Sequence, residues 1–258
     1  MWSLDGRVAI VTGAAGFLGR QHCDALAEMG ATVVLIDKHE AQVEDTAATI
    51  RARWGTTTYS QAVDITNGTA VASVFGELLS SLGRIDVLVN NAQLQLSSSW
   101  VEFEDLSVED WRRILDVNLT GAFLCSQAAG RAMRAARCGS IINFGSIYGM
   151  IGPDFRIYDG TPFTTAAVYS ASKAGIYGLT RYLATYYGPH NVRANAVTPG
   201  GIFNGHKDPF LSAYNERVPM RRMGEASEIR GVVQFLASDA SSYVTGQNIP
   251  VDGGRTTW

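Results

Sequence analysis

The stretch VAIVTGAAGFLGRQHCDAL, residues 8–26, joins an apolar run without alternating polarity to a glycine-punctuated turn and a helix-like segment. A strand buried on both faces reads this way, because neither side needs polar residues. Gly13, Gly16 and Gly19 recur at every third position, with Phe17 and Leu18 inside the turn. Glycines there let backbone N–H groups approach a pyrophosphate, and the helix N-terminus that follows favours its negative charge. A tight turn with no ligand would carry similar glycines, so context decides: a strand before, a helix after, near the start of the chain. Asp37 ends the next apolar run, 18 residues beyond Gly19. An acid at that point accepts hydrogen bonds from adenosine ribose hydroxyls and repels a 2′-phosphate. Lys38 and His39 follow it, but Ala15 in the glycine loop is not basic. NAD is expected in preference to NADP.

The same rhythm continues along the chain. Residues 7–13, 32–37, 85–92, 140–146 and 192–200 read as buried strands, and 57–65 and 247–254 as weaker ones. Helical spacing fills 18–30, 41–54, 67–82, 107–137, 165–187 and 226–238. Ser107 before Glu109 and Asp110, and Ser227 after Glu225, stand at helix starts, and Gly30, Gly55 and Gly83 just past helix ends. Strand and helix alternating seven times predict an α/β fold, a Rossmann-like doubly wound parallel sheet between two helical layers. No linker divides residues 1–258, so a single dinucleotide-binding domain is expected. Two long connections break the rhythm, 147–165 and 201–225, both mixing Gly and Pro with aromatic residues. Ligands bind beyond the carboxyl ends of strands in such sheets, so both connections are expected to wall a substrate site.

Composition narrows the function. The chain is 46% hydrophobic and 17% charged with net charge −3, which suits a compact domain and offers nothing to nucleic acid. No apolar run is long enough to cross a membrane, and the N-terminus runs straight into a strand. Cys23, Cys125 and Cys138 are odd in number and far apart, so no disulfide framework is expected and a cytoplasmic, reducing compartment fits. His22, His39, His190 and His206 show no metal-ligand spacing and read as surface or loop residues; no metal is expected.

Within TTAAVYSASKAGIYGLT, residues 164–180, Tyr169 and Lys173 stand one helical turn apart among small residues. With Asn118 and Ser146 placed on the same scaffold, the chain resembles short-chain dehydrogenases/reductases of the compact type. The resemblance spans essentially the whole chain and rests on TGAAGFLG at 12, NNA at 90, DVNLTGAF at 116, INFGS at 142, YSASK at 169, NAVTPGG at 195 and VDGG at 251. It implies a catalytic tetrad of Asn118, Ser146, Tyr169 and Lys173. It further implies that Asp64 and Ile65 contact adenine and that Asn91 and Ala92 line the cofactor. Pro199, Gly200 and Ile202 would hold the carboxamide, with Asn204 where a threonine often caps the cofactor. Gln93, Ser146, Tyr148 and Tyr169 would face substrate. The sequence departs from the family pattern at Phe17, which replaces a glycine, at Gln93 after NNA, and in the 23 positions between Ser146 and Tyr169.

Interconverting an alcohol and a ketone needs a hydride carrier and a group for the hydroxyl proton. Free tyrosine titrates near 10, about three units too high for a base at neutral pH. A cation about 4 Å away in an effective dielectric near 20 is worth about 4 kcal/mol, enough to offset that deficit. Lys173 is placed to supply it. Lys173 is also expected to bind the nicotinamide ribose, Ser146 the substrate oxygen, and Asn118, where the long helix is expected to kink, a water leading to bulk. Gln93, Asp154, Arg156, Tyr158, Asp159, Asn204, His206 and Lys207 favour a polar substrate, a sugar, polyol or sugar phosphate. Two alternatives stand beside it: a 3-oxoacyl-thioester reductase, for which Arg221 and Arg222 are the only candidate basic patch, and a non-catalytic cofactor sensor. The small face at 170–175 and the C-terminal tail are compatible with a homotetramer or dimer.

Overall fold

The computed structural model describes residues 2–258. Seven strands form one parallel sheet: β1 (Val8–Thr12), β2 (Thr32–Asp37), β3 (Thr58–Ala62), β4 (Val87–Asn90), β5 (Gly139–Phe144), β6 (Val192–Pro199) and β7 (Asn248–Val251). Their order is β3-β2-β1-β4-β5-β6-β7, which reverses direction between β1 and β4. The helices are α1 (Phe17–Glu28), α2 (Glu40–Trp54), α3 (Gly68–Leu82), α4 (Val108–Leu115), α5 (Ala122–Ala136), α6 (Ala167–Tyr187), α7 (Phe210–Asn215) and α8 (Arg230–Ala237).

Side chains alternate between two cores, one on each face of the sheet. Ala9, Val11, Val33, Leu35, Val87 and Val89 meet α1, α2 and α8 on one face. Val8, Ile10, Val34, Ile36 and Leu88 meet α3, α5 and α6 on the other. A strand filled from both sides has no polar positions, which is why β1 and β2 read as unbroken apolar runs. β3 and β7 are the two edges and are only partly covered, which explains their weaker patterns.

Local signals fall where capping chemistry puts them. Ser107 accepts a hydrogen bond from the Asp110 N–H, and Gly55 and Gly83 close α2 and α3 at φ +66° and +75°. The long helix expected over 107–137, with a kink at Asn118, is interrupted there by a π-helical turn, Asp116–Gly121. Before α8 it is Glu225 of the expected start signal that caps, paired with Glu228. His22, expected on the surface, is fully buried in α1. It is accommodated there because its Nε2 reaches Asn91 Oδ1 at 3.1 Å and its ring lies 4.2 Å from that of Phe144.

Candidate active site

A cavity of about 500 Å³ opens beyond the carboxyl ends of the strands, across the point where the sheet order reverses. Gly13, Gly16, Phe17 and Leu18 line its near end with Asp37. Gly13 has φ +62°, and a Cβ there would lie 2.7 Å from the Ala92 backbone. Gly19 lies beneath the turn instead of lining the cavity: a Cβ on it would come 2.0 Å from the Gly13 carbonyl. The departure at Phe17 therefore leaves the close approach intact, because Gly13 and Gly19 supply it. Asp37 ends β2 and accepts from the N–H of Ala15 at 3.2 Å, so its carboxylate is anchored to the glycine turn.

Asp64 and Ile65, just past β3, line the same cavity, as do Asn91, Ala92 and Gln93 past β4. The N–H and hydroxyl of Thr66 hold the Asp64 carboxyl below its usual range. Asn91 does not simply face the cavity. Its amide donates to the carbonyls of Thr12 and Gly13, both at 3.1 Å, and so ties β4 to the turn. Pro199, which ends β6, and Gly200, Ile202 and Asn204 after it complete the far wall.

Ser146, Tyr169 and Lys173 meet at the inner end. The Ser146 backbone is held by the Tyr177 hydroxyl, which donates to Ser146 O at 2.7 Å and accepts from Ser146 N–H at 3.1 Å. Tyr177 was missed by sequence reasoning. The available signal was its place one further turn beyond Lys173, on the same helix face as Tyr169. Small residues around the pair have a packing reason: a Cβ on Gly149 would lie 2.6 Å from the Lys173 backbone, so the turn after β5 rests directly on α6.

Lys173 is buried and donates to the Phe144 carbonyl at 3.0 Å, with Nζ 5.7 Å from the Tyr169 ring centroid. Burial lowers its pKa to about 8. Burial also raises that of Tyr169, partly opposed by a hydrogen bond with Ser146. The expected lowering of the phenol by the lysine is therefore not a property of the protein alone: the ammonium is directed to a carbonyl, and desolvation governs both groups. Asn118 lies in the π-helical turn, buried and outside the cavity lining. Its Oδ1 accepts from the Leu94 N–H at 2.7 Å and its amide donates to Leu94 O at 3.3 Å, clamping the chain after Gln93.

A second cavity of about 350 Å³ adjoins the first and shares Ser146, Tyr169, Gly200 and His206 with it. Tyr148, Tyr158 and Phe163 reach it from 147–165, and Phe210 and Tyr214 from α7. Trp100 closes it from the loop before α4. Asp154, Arg156, Asp159 and Lys207, expected among the inward-facing groups, line neither cavity. Asp154 is occupied by Arg156 at 2.8 Å and Arg217 at 2.6 Å. Trp100, Phe163, Phe210 and Tyr214 were not singled out; aromatic density in the two long connections was the signal for three of them, and Trp100 had none.

The residues at the first cavity fit a dinucleotide. Two glycines sit where a Cβ would collide with backbone, the turn leads into a helix N-terminus, and a carboxylate stands at the end of the second strand. The family model described as enoyl-(acyl carrier protein) reductase matches residues 13–256. A trans-4-hydroxycyclohexanecarboxylate dehydrogenase of Sinomonas cyclohexanicum is 37% identical over 97% of this chain and 93% of its own. An NAD+-bound xylitol dehydrogenase superposes with TM-score 0.87 at 32% identity, covering 97% of this chain and 99% of that one. A gluconate 5-dehydrogenase of Burkholderia cenocepacia J2315, in complex with NADP and tartrate, gives TM-score 0.90 at 30% identity over 100% and 98% of the two chains. Fold, cavity and sequence thus converge: the chain belongs to the short-chain dehydrogenase/reductase family and is an NAD(P)-dependent oxidoreductase acting on CH–OH groups.

Proposed function

We propose that the chain oxidises a polar secondary alcohol, of the sugar or polyol class, to its ketone and runs the reverse reaction. The observation that carries this is Tyr169 at the junction of the two cavities, beside Ser146 and one turn from buried Lys173. The dinucleotide, when bound, supplies or accepts the hydride. Tyr169 takes the hydroxyl proton during oxidation and returns it during reduction. Ser146 holds the reacting oxygen, and its position is fixed by Tyr177. Lys173 stays close to the phenol and can lose its own proton near pH 8, which suits it to passing a proton onward. Asn118 holds the Leu94 backbone, and with it the wall of the cavity beside the reacting groups.

NAD is the preferred cofactor, because the Asp37 carboxylate lines the cavity at the end of β2 and would repel a 2′-phosphate. The connections 147–165 and 201–225 form the substrate wall. The protein works in the cytoplasm, where its three free cysteines stay reduced. It assembles as a homo-oligomer. A thioester reductase reading is weakened by Arg222, whose guanidinium is taken up by Glu228 at 2.6 Å. The test is NADH formation over a panel of polyols and sugars. Tyr169→Phe is expected to lower kcat by about a thousandfold while leaving NAD binding in place. Turnover retained in that variant would sink the mechanism, and tight NAD binding with no turnover on any alcohol would favour the sensor.

A further inference from the structure

We infer that the second cavity selects an uncharged polyol in ring form, a cyclitol or pyranose, over sugar phosphates, sugar acids and open-chain polyols. This rests on the reading of Tyr169 as the group that handles the substrate proton.

The walls argue for a ring. Phe163 lies edge-on to Phe210 at 5.1 Å and to Tyr158 at 6.1 Å, and Tyr158 stacks on Phe210 at 5.5 Å. Trp100 adjoins Phe163 at 5.9 Å and Tyr214 adjoins Phe210 at 6.1 Å. A continuous aromatic surface from three separate segments accepts the flat C–H face of a six-membered ring. An open-chain polyol turns hydroxyls to every side, and those meeting aromatic faces would lose their hydrogen bonds to water without replacement.

The polar groups argue for hydroxyl partners. Tyr148 and Tyr158 join their hydroxyls at 2.9 Å, and Thr164 and Thr165 stand beside them in the lining. Burial raises both phenols, Tyr158 to about 12, so each stays protonated. The pair shares one hydrogen internally, and the remaining hydroxyl hydrogens of the pair and of neighbouring Thr165, with their spare lone pairs, can serve a ligand. A ring hydroxyl away from the reacting carbon can use both.

The charges argue against an anion. Among the described residues, no Lys, Arg, Asp or Glu lines this cavity. Among the described residues His206 is the only ionisable group of the lining besides tyrosines, and burial lowers its pKa, favouring the neutral imidazole. Asp154 and Arg217 neutralise each other outside it. Arg255 is buried within electrostatic reach of Tyr148 and Tyr214 but is not part of the lining. A phosphate or carboxylate would lose its hydration and find no cation in the lining to contact.

The test is kinetics with NAD on matched compounds: inositol against inositol monophosphate, hydroxycyclohexanecarboxylate against its neutral hydroxymethyl counterpart, and a hexitol. Each neutral ring is expected to exceed its charged partner in kcat/KM by at least about a hundredfold. Tyr158→Phe is expected to shrink the preference for inositol over cyclohexanol by about tenfold. Equal or better turnover of the charged partner, or of the hexitol, overturns the inference while leaving the dehydrogenase reading intact. Turnover surviving in Tyr169→Phe overturns that reading instead. Should none of these compounds be oxidised, quenching of Trp100 fluorescence by inositol but not by its phosphate, lost in Trp100→Phe, supports the inference, and no quenching by inositol overturns it.

Discussion

Lys173 serves two opposed demands. A buried ammonium is costly, and its pKa falls from 10.5 to about 8. Between those values the unfolded chain binds a proton that the folded chain does not, so stability rises with pH over that window and carries the full penalty below it. Lys173→Met is therefore expected to be about 2 kcal/mol more stable at neutral pH, the proton penalty less the lost hydrogen bond to Phe144, and to be inactive. Urea unfolding at neutral pH and near pH 10 checks both the gain and the loss of the slope. His22 shows the opposite limb. Burial lowers its pKa from 6.5 to about 3, so the folded protein keeps it neutral while the unfolded chain protonates. Stability is then lost as pH falls from about 6.5 toward 3. His22→Gln keeps a donor for Asn91 and removes the titration. It is expected to stand above the native protein by about 3 kcal/mol near pH 4, relative to their difference at neutral pH.

At the scale of elements, the two long connections are joined by one ion pair. Asp154 of 147–165 meets Arg217 of 201–225 at 2.6 Å, with side-chain exposures of 14% and 24%, so water screens it only in part. Hydrogen bonds from Arg156 and Arg217 hold the Asp154 carboxyl well below its usual range, so the link persists down to strongly acidic pH. Asp154→Asn is expected to cost at most about 1 kcal/mol of stability. It should raise KM for the alcohol severalfold and leave NAD affinity nearly unchanged, because both connections supply the aromatic wall, whereas the glycine turn and Asp37 that would hold the adenosine half lie outside them. Equal changes in both constants would show that the pair supports the fold in general. These elements also mark where sequence patterns stop being informative. β1 and β2 were legible because burial on both faces removes polar residues, and the turn at Gly13 because backbone crowding admits only glycine. The π-helical turn was legible only as a kink at Asn118, because the bonds that accompany it reach Leu94, 24 positions away. The destination of Asp154 and the closure by Trp100 likewise depend on partners from distant segments.

The whole molecule leaves one face unexplained by its own core. Phe123, Tyr182 and Tyr186 are 47%, 64% and 49% exposed on neighbouring α5 and α6. Tyr182 and Tyr186 stack at 5.9 Å, and Arg134 lies over Tyr186 at 5.9 Å from its centroid. Large aromatic side chains clustered at the surface mark interaction sites more often than solvated ones. Both helices also reach the site: α6 carries Tyr169 and Lys173, and α5 continues from the turn that holds Asn118. A second copy packed here would brace those helices from behind. Placing glutamates at Phe123 and Tyr182 together is expected to lower the mass measured by sedimentation to that of one chain. The single-chain form should lose part of its kcat while the cradle still binds NAD, since the glycine turn leads into α1, which packs on the opposite face of the sheet from α5 and α6. A native protein that sediments as a single chain at micromolar concentration would leave these aromatics without the role assigned to them.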